Sequence, residues 1–112
     1  MAFDCWEFSR EAIADIDRVA AYLTQDYLRG KEKADNYKST LERTQLMLCE
    51  NPHMGQLFVD SRDEFKNIYF FAPASWMILY YRIGSGSSNR IRVVRVLSSR
   101  QDQDAVRRGI LT

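Results

Sequence analysis

The feature that most restricts the fold is a run near the carboxyl end, residues 93–97, in which every side chain is apolar except Arg95. Continuous apolarity is typical of a strand that is covered on both faces. An arginine is costly to bury unless it is paired, so Arg95 is predicted to form an ion pair, for which an acid of a neighbouring helix is a candidate. The alternative is that Arg95 faces a concave site for an anion or a partner. The rest of the chain must cover this strand.

Two segments with helical periodicity come before this strand. From Ser9, a good N-cap residue, apolar side chains recur every three or four residues, and the helix is predicted to end near Gly30. The same period resumes at Ala34 and continues until Pro52 stops it. Two helices of about five turns each, joined by a short break, predict an antiparallel helical hairpin.

Four segments are rich in the aromatic and β-branched side chains that strands favour. They are residues 3–8, 67–72, 76–83 and 90–97. The first leads directly into the first helix, and the other three are separated only by turn-like residues 73–75 and 84–89. Because short connections favour hairpins, the last three strands are predicted to form an antiparallel meander. The first strand is expected to lie at an edge of the sheet or to pair with a later strand.

Residues 51–66 show turn chemistry and no clear period, so we interpret them as a loop in which residues 56–59 can form a short strand. Aromatic side chains crowd the first two strands of the meander, and most are expected to be core residues or cross-strand pairs. They are Tyr69, Phe70, Phe71, Trp76, Tyr80 and Tyr81. The sequence thus predicts one α+β domain over residues 1–112, with a helical hairpin packed on a mainly antiparallel sheet.

The formal net charge of +1 conceals a gradient along the chain. Residues 1–89 contain 10 basic and 13 acidic side chains, whereas residues 90–112 contain 6 arginines and only 2 aspartates. The near neutrality is therefore a cancellation between an acidic segment and a basic carboxyl-terminal segment.

Few residues outside the strands carry distinctive chemistry. Cys5 and Cys49 lack CxxC spacing, and with the single His53 they fall short of the roughly four ligands of a structural zinc site. We expect no metal and no cofactor, with both cysteines as small buried apolar side chains and His53 at the surface. The longest apolar run, residues 68–81, is too short to span a membrane. With no signal peptide in the sequence, a cytoplasmic location is expected.

Polar side chains cluster directly after the last strand, at residues 98–102. The planar guanidinium of Arg100 suits recognition of phosphate or carboxylate. Asp102 suits the N-cap of a short helix over residues 103–108, which Gly109 would end. Loops held by a rigid sheet often carry binding residues, so this segment is a candidate site.

The whole pattern resembles the ParE branch of the RelE/ParE toxins. The resemblance rests on the helical hairpin, on Asn51-Pro-x-x-Gly55, on the strand at residues 76–83, and above all on residues 91–102, which end in Arg-Gln-Asp. It implies a small toxin of a type II toxin–antitoxin module, neutralised by a co-encoded antitoxin that wraps the sheet and helices. ParE-like members act on DNA gyrase, whereas RelE-like members cleave mRNA on the ribosome.

The residues distinguish these two activities. RelE-type cleavage, as the resemblance implies, uses basic side chains on the middle strands, an arginine after the last strand and a tyrosine beyond it. Arg100 matches that arginine and is the catalytic candidate for a ribonuclease. The other positions hold Asn67, Tyr69, Ile78 and Val106, so most of the needed acid–base groups are missing. Lys66 could replace one of them only with a register shift of one residue. We therefore favour gyrase inhibition over a ribosome-dependent mRNA endonuclease, and a non-toxic antitoxin-binding module is a further alternative.

The resemblance and the charge gradient together give two sets of candidate contacts. The expected contacts with gyrase are Arg95, Arg100, Asp102, Arg107 and Arg108. The expected contacts with the antitoxin are Arg90, Arg92, Arg100 and Tyr81. An antitoxin that meets these arginines is expected to be acidic there. We further expect Arg90, Arg92, Arg95 and Arg100 to be partly uncompensated by acids in the free toxin.

Overall fold

A computed structural model describes residues 6–26, 28–59, 66–84 and 91–98. Its elements, in chain order, are β1 (Trp6–Phe8), α1 (Arg10–Leu23), α2 (Gly30–Glu50), a 3₁₀ turn (Pro52–Met54), β2 (Gln56–Leu57), β3 (Tyr69–Ala74), β4 (Met77–Ile83) and β5 (Ile91–Leu97). In these ranges, no helix combines the length and the apolar character that crossing a membrane requires.

The five strands form one sheet in the order β1-β5-β4-β3-β2. β3, β4 and β5 are antiparallel neighbours, and β1 lies at the edge, parallel to β5. The predicted α+β fold, the three-stranded meander and the edge position of the first strand are thus confirmed. The predicted part of that strand at residues 3–5 lies outside the described residues.

The helical hairpin is also present, but its first helix is shorter than predicted. α1 ends at Leu23, not near Gly30. At the C-cap, the hydroxyl of Thr24 donates to the carbonyls of Ala20 and Ala21, and the carboxylate of Asp26 accepts the backbone N–H groups of Leu28 and Arg29 in the turn that follows. A hydrogen bond with Lys33 is the main reason that the pKa of Asp26 falls to about 2. Gly30 then begins α2 instead of ending α1.

The sheet has an apolar layer on each face. The larger layer joins the helices to the sheet and includes Ala12, Tyr37, Leu41, Leu48, Leu79, Tyr81, Val93 and Val96. A second cluster contains Ile68, Ile78, Tyr80, Val94 and Leu97. Successive strand residues point to opposite faces, and Ile78 and Tyr80 alternate with Leu79 and Tyr81, so the second cluster lies on the face opposite the helices. β5 is therefore covered on both faces, as its apolar run predicts.

A bulge in β5 explains why the alternation of its side chains fails. Tyr81 is opposite Val93 and Tyr80 is opposite Arg95, so Val94 is an extra residue in β5. The extra residue shifts the alternation, so Val93 before the bulge and Val96 after it both lie in the layer that faces the helices.

The turn between β3 and β4 lies later than predicted. Pro73 and Ala74 belong to β3, and only Ser75 and Trp76 form the turn. The register of β3 against β4 is irregular between Phe71 and Ala74. Such irregular positions tolerate a proline, because proline has no backbone N–H to donate to the neighbouring strand.

Candidate functional site

Arg95 is held in an ion pair with Asp15 of α1. Its Nε and Nη2 atoms donate to Asp15 Oδ2 and Oδ1 over 2.7 and 2.8 Å, an arrangement that engages both carboxylate oxygens. The Asp15 side chain is 2% exposed and that of Arg95 is 12% exposed. These hydrogen bonds raise the pKa of Arg95 above its usual value. Of the two interpretations drawn from the sequence, the structure has the ion pair with an acid of the helical hairpin.

The local fold explains why Asp15 reaches β5. β1 has only three residues and pairs with β5 no further than Val93. Beyond that point the start of α1 takes the place of a strand. The hydroxyl of Ser9 donates to the carbonyl of Val94, and Asp15 Oδ2 accepts the N–H of Val96 at 3.0 Å. Ser9 also accepts from the Ala12 N–H as the helix N-cap, so one residue starts α1 and joins it to β5.

Arg92 is also paired, although near the surface. It donates to Glu7 of β1 at 2.7 Å, and both side chains are about half exposed. Arg82 lies directly opposite Arg92 on β4, where two like charges repel each other, and Glu7 reduces this repulsion from the other side. The expectation that Arg95 is partly uncompensated is contradicted by its pairing with Asp15. Arg92 has an acid partner, Glu7, and a like charge opposite it. The fold brings acids of the amino-terminal segment beside β5. The sequence does not indicate these pairs, because their members are 80 or more residues apart.

Tyr81 is placed inside the protein. Its side chain is 0% exposed, and its hydroxyl donates to the carbonyl of Pro52 at 2.8 Å and accepts the N–H of Gly55 at 3.2 Å. Burial is the main reason that its pKa is raised. The expectation that Tyr81 contacts the antitoxin needs correction, because a fully buried side chain offers no surface. Its observed role is to join the Pro-x-x-Gly turn to the sheet.

The structure also corrects one expectation about the cysteines. Cys49, half-buried near the end of α2, is disulfide-bonded and not a free apolar side chain. The only other cysteine in the sequence, Cys5, lies outside the described residues. His53 is exposed, as predicted, and its ring lies edge-on to that of Tyr69.

The remaining candidate contacts, as well as the helix predicted after the last strand, lie outside the described residues. These contacts are Arg90, Arg100, Asp102, Arg107 and Arg108. Of the expected gyrase contacts, the structure therefore describes only Arg95, two residues before the end of β5. Asp15 fixes the position of this arginine near the end of β5, within the basic carboxyl-terminal segment.

The helical hairpin adds a groove that the sequence analysis did not identify. A cavity of about 510 Å³ lies between α1 and α2, with Ile13, Ile16 and Leu41 among its apolar lining. Its charged lining residues are Asp17, Asp35, Lys38 and Glu42, a balance of two negative charges. Ile13 is 49% exposed, which shows that part of this apolar groove is not covered. The helical period of the sequence identifies the apolar face of the helix but cannot show that part of it is uncovered.

A second surface lies around Trp76. Its larger cavity is on the opposite side of α2 from the groove, and its smaller cavity is bounded by Val19 and Leu23 of α1 and shares Tyr37 with the groove. The sequence placed Trp76 among side chains that are mainly core residues, yet it is 41% exposed. Cavities of about 220 and 430 Å³ lie beside it, and both are lined by Trp76 and Asn36. The later start of β4 explains the difference, because it leaves Trp76 in the turn instead of in the strand.

Comparison with known proteins gives concordant matches. A family model described as the ParE toxin of the type II toxin–antitoxin system parDE matches residues 6–103. Toxin ParE1 of Caulobacter vibrioides is 30% identical over 92 residues, which cover 82% of this chain and 85% of the relative. A solved structure of the chromosomal ParDE system from P. aeruginosa has the same fold, with a TM-score of 0.63 at 15% identity, covering 88% of this chain and 98% of that one.

Proposed function

Since the chain belongs to the ParE toxin family of type II toxin–antitoxin systems, we propose that it inhibits DNA gyrase and that a co-encoded antitoxin neutralises it. The toxin binds its target without making or breaking bonds itself. The family match over residues 6–103 carries this proposal.

The side chains of the meander support binding over ribonuclease chemistry. Ile78 stands where the resemblance to RelE-type enzymes requires an arginine, and it is an aliphatic residue of the second apolar cluster. Tyr69, in place of a lysine, stacks on Tyr81 with ring centroids 5.8 Å apart. Neither residue supplies the cationic groups that would stabilise the charge of a phosphorane.

The groove between α1 and α2 is the proposed docking site for one segment of the antitoxin. An amphipathic helix fits such a groove by inserting apolar side chains spaced along one face. Because the rim carries Asp17, Asp35 and Glu42 against Lys38, that segment is expected to have basic residues beside its apolar ones. A separate acidic segment of the antitoxin is proposed to cover Arg90, Arg92 and Arg100.

The basic carboxyl-terminal segment is the proposed contact with gyrase. This segment, residues 90–112, contains the five expected contacts Arg95, Arg100, Asp102, Arg107 and Arg108. Arg95 supports this role indirectly, because its ion pair with Asp15 anchors the β5 part of this segment.

A supercoiling assay with purified gyrase tests the proposal. The wild-type toxin should inhibit supercoiling, and prior addition of the antitoxin should prevent the inhibition. Arg100→Ala should weaken inhibition by about tenfold or more, as expected for a central interface arginine. Lys31→Ala, on an exposed position of α2, is the matched control and should inhibit like the wild type.

Two outcomes would contradict the proposal. Unchanged supercoiling at a large excess of folded toxin would exclude gyrase as the target. Cleavage of translated messages after induction in cells, lost in Arg100→Ala, would favour the ribonuclease alternative.

A further inference from the structure

We infer that the surface around Trp76 is a protein-docking site whose occupant is the target, gyrase, which inserts an apolar side chain beside a carboxylate. This Trp76 surface comprises Lys33, Asn36, Arg43, Met47, Pro73 and Trp76. The inference rests on the proposed function and adds to it a site remote in sequence from the carboxyl-terminal arginines.

The Trp76 ring is held in place and still accessible. Its centroid lies 5.9 Å from that of Tyr37, a residue of α2 that is 5% exposed. The neighbouring Met47 is 44% exposed. A large aromatic ring that is already fixed loses little conformational entropy when a partner covers it. Exposed Trp, Met and Arg side chains are also those that protein interfaces favour, and Trp and Arg recur at their energetic centres.

The charge of this surface defines its partner. Lys33 is paired with Asp26, so it adds little net charge. Arg43 donates a long hydrogen bond of 3.4 Å to Thr40, and in the described part of the chain no carboxylate is paired with it. The surface therefore offers one cation next to apolar walls, and it is complementary to a carboxylate that accompanies an apolar side chain.

The shape of the surface favours gyrase over the antitoxin as the occupant. The two cavities measure about 220 and 430 Å³ and are separated by Asn36 and Trp76, so each accepts individual protruding side chains. Such an arrangement fits the surface of a folded protein. The groove between α1 and α2 is instead a single cavity of about 510 Å³ with acidic residues in its lining, and it fits a continuous helix. α2 thus presents two surfaces of different shape and opposite charge.

Binding measurements with purified gyrase and with the purified antitoxin test this inference. Trp76→Ala should weaken gyrase binding by at least about tenfold and Arg43→Gln by about three- to tenfold, while both variants bind the antitoxin like the wild type. Trp76→Phe should restore most of the gyrase affinity. Val59→Ser removes an 87% exposed apolar side chain that follows β2, and Lys31→Gln removes an exposed cation near the start of α2. Both are matched controls for gyrase binding.

Each remaining outcome overturns the inference in a recognisable way. If the wild-type toxin does not bind gyrase, both the proposed function and the Trp76 surface are wrong. If the wild type binds and Trp76→Ala binds equally well, only the surface is wrong. If Trp76→Ala loses the antitoxin and keeps gyrase, the surface belongs to the antitoxin.

Discussion

Asp15 and Arg95 show how strongly a single pair of residues can determine the arrangement of a small toxin. The pair links the second turn of α1 to the far end of β5, and Asp15 also accepts hydrogen bonds from Val96 and Arg18. Removing one member of a buried ion pair leaves the other charge buried without compensation, which costs far more than the pair itself contributes.

We predict that Asp15→Asn lowers the free energy of unfolding by about 3–5 kcal/mol, because Arg95 would stay largely buried without a counter-charge. Urea unfolding followed by circular dichroism measures this change. Glu7→Gln is the matched control, since it breaks the exposed pair with Arg92 and should cost less than about 1 kcal/mol. Equal losses in the two variants would show that the Asp15 pair does not stabilise α1 against β5.

Among the elements, the 3₁₀ turn and β4 show why the Pro-x-x-Gly pattern matters physically. A Cβ on Gly55 would collide with the Tyr81 hydroxyl and lie 2.7 Å from the carbonyl oxygen of Phe70. The glycine is therefore required by close approach to the sheet. The tyrosine that causes this requirement lies 26 residues later in the chain, so the pattern alone gives no reason for the glycine.

We predict that Gly55→Ala lowers the free energy of unfolding by about 1–3 kcal/mol, because the added methyl group forces Tyr81 and the turn apart. Tyr81→Phe should also destabilise the protein, because it removes both hydrogen bonds of the hydroxyl. The double variant should lose less than the sum of the two single variants, since the hydroxyl that meets the methyl group is then absent. Strict additivity in thermal unfolding would contradict this contact.

The elements differ in how far the sequence predicts them. Helical and strand periods predict α2, β4 and β5 closely, because those patterns reflect local burial. The end of α1 is predicted too late, since the apolar period does not report the turn in which Asp26 binds the backbone of Leu28 and Arg29. The bulge at Val94 and the exposure of Trp76 could not be predicted, because they depend on cross-strand register.

For the molecule as a whole, the charge gradient of the sequence is partly cancelled by folding. Glu7 and Asp15 lie beside Arg92 and Arg95, so the acidic amino-terminal segment neutralises part of β5. What remains in the described residues is a division across α2, with acids lining one side and Arg43 on the other.

Stability at alkaline pH depends on the buried tyrosines of the same core. Burial raises the pKa of Tyr37 from 10.0 to about 12, and the nearby charge of Asp15 contributes in the same direction. Between these two values the unfolded chain releases the phenolic proton and the folded chain keeps it. The folded state then binds more protons, so stability must fall as the pH rises. The contribution is fully present below pH 10.

We therefore predict that the free energy of unfolding decreases as the pH is raised from about 10 to about 12, and that Tyr37→Phe makes this decrease shallower. Tyr37→Phe keeps the ring that packs against Trp76 and removes only the group that titrates. Urea unfolding at several pH values in this window measures both slopes, and Tyr22→Phe, at a residue that is 71% exposed, is the control. If the free energy of unfolding falls with pH at the same slope in the wild type and in Tyr37→Phe, Tyr37 titrates alike in the folded and unfolded chains. The burial of Tyr37 would then not govern alkaline stability.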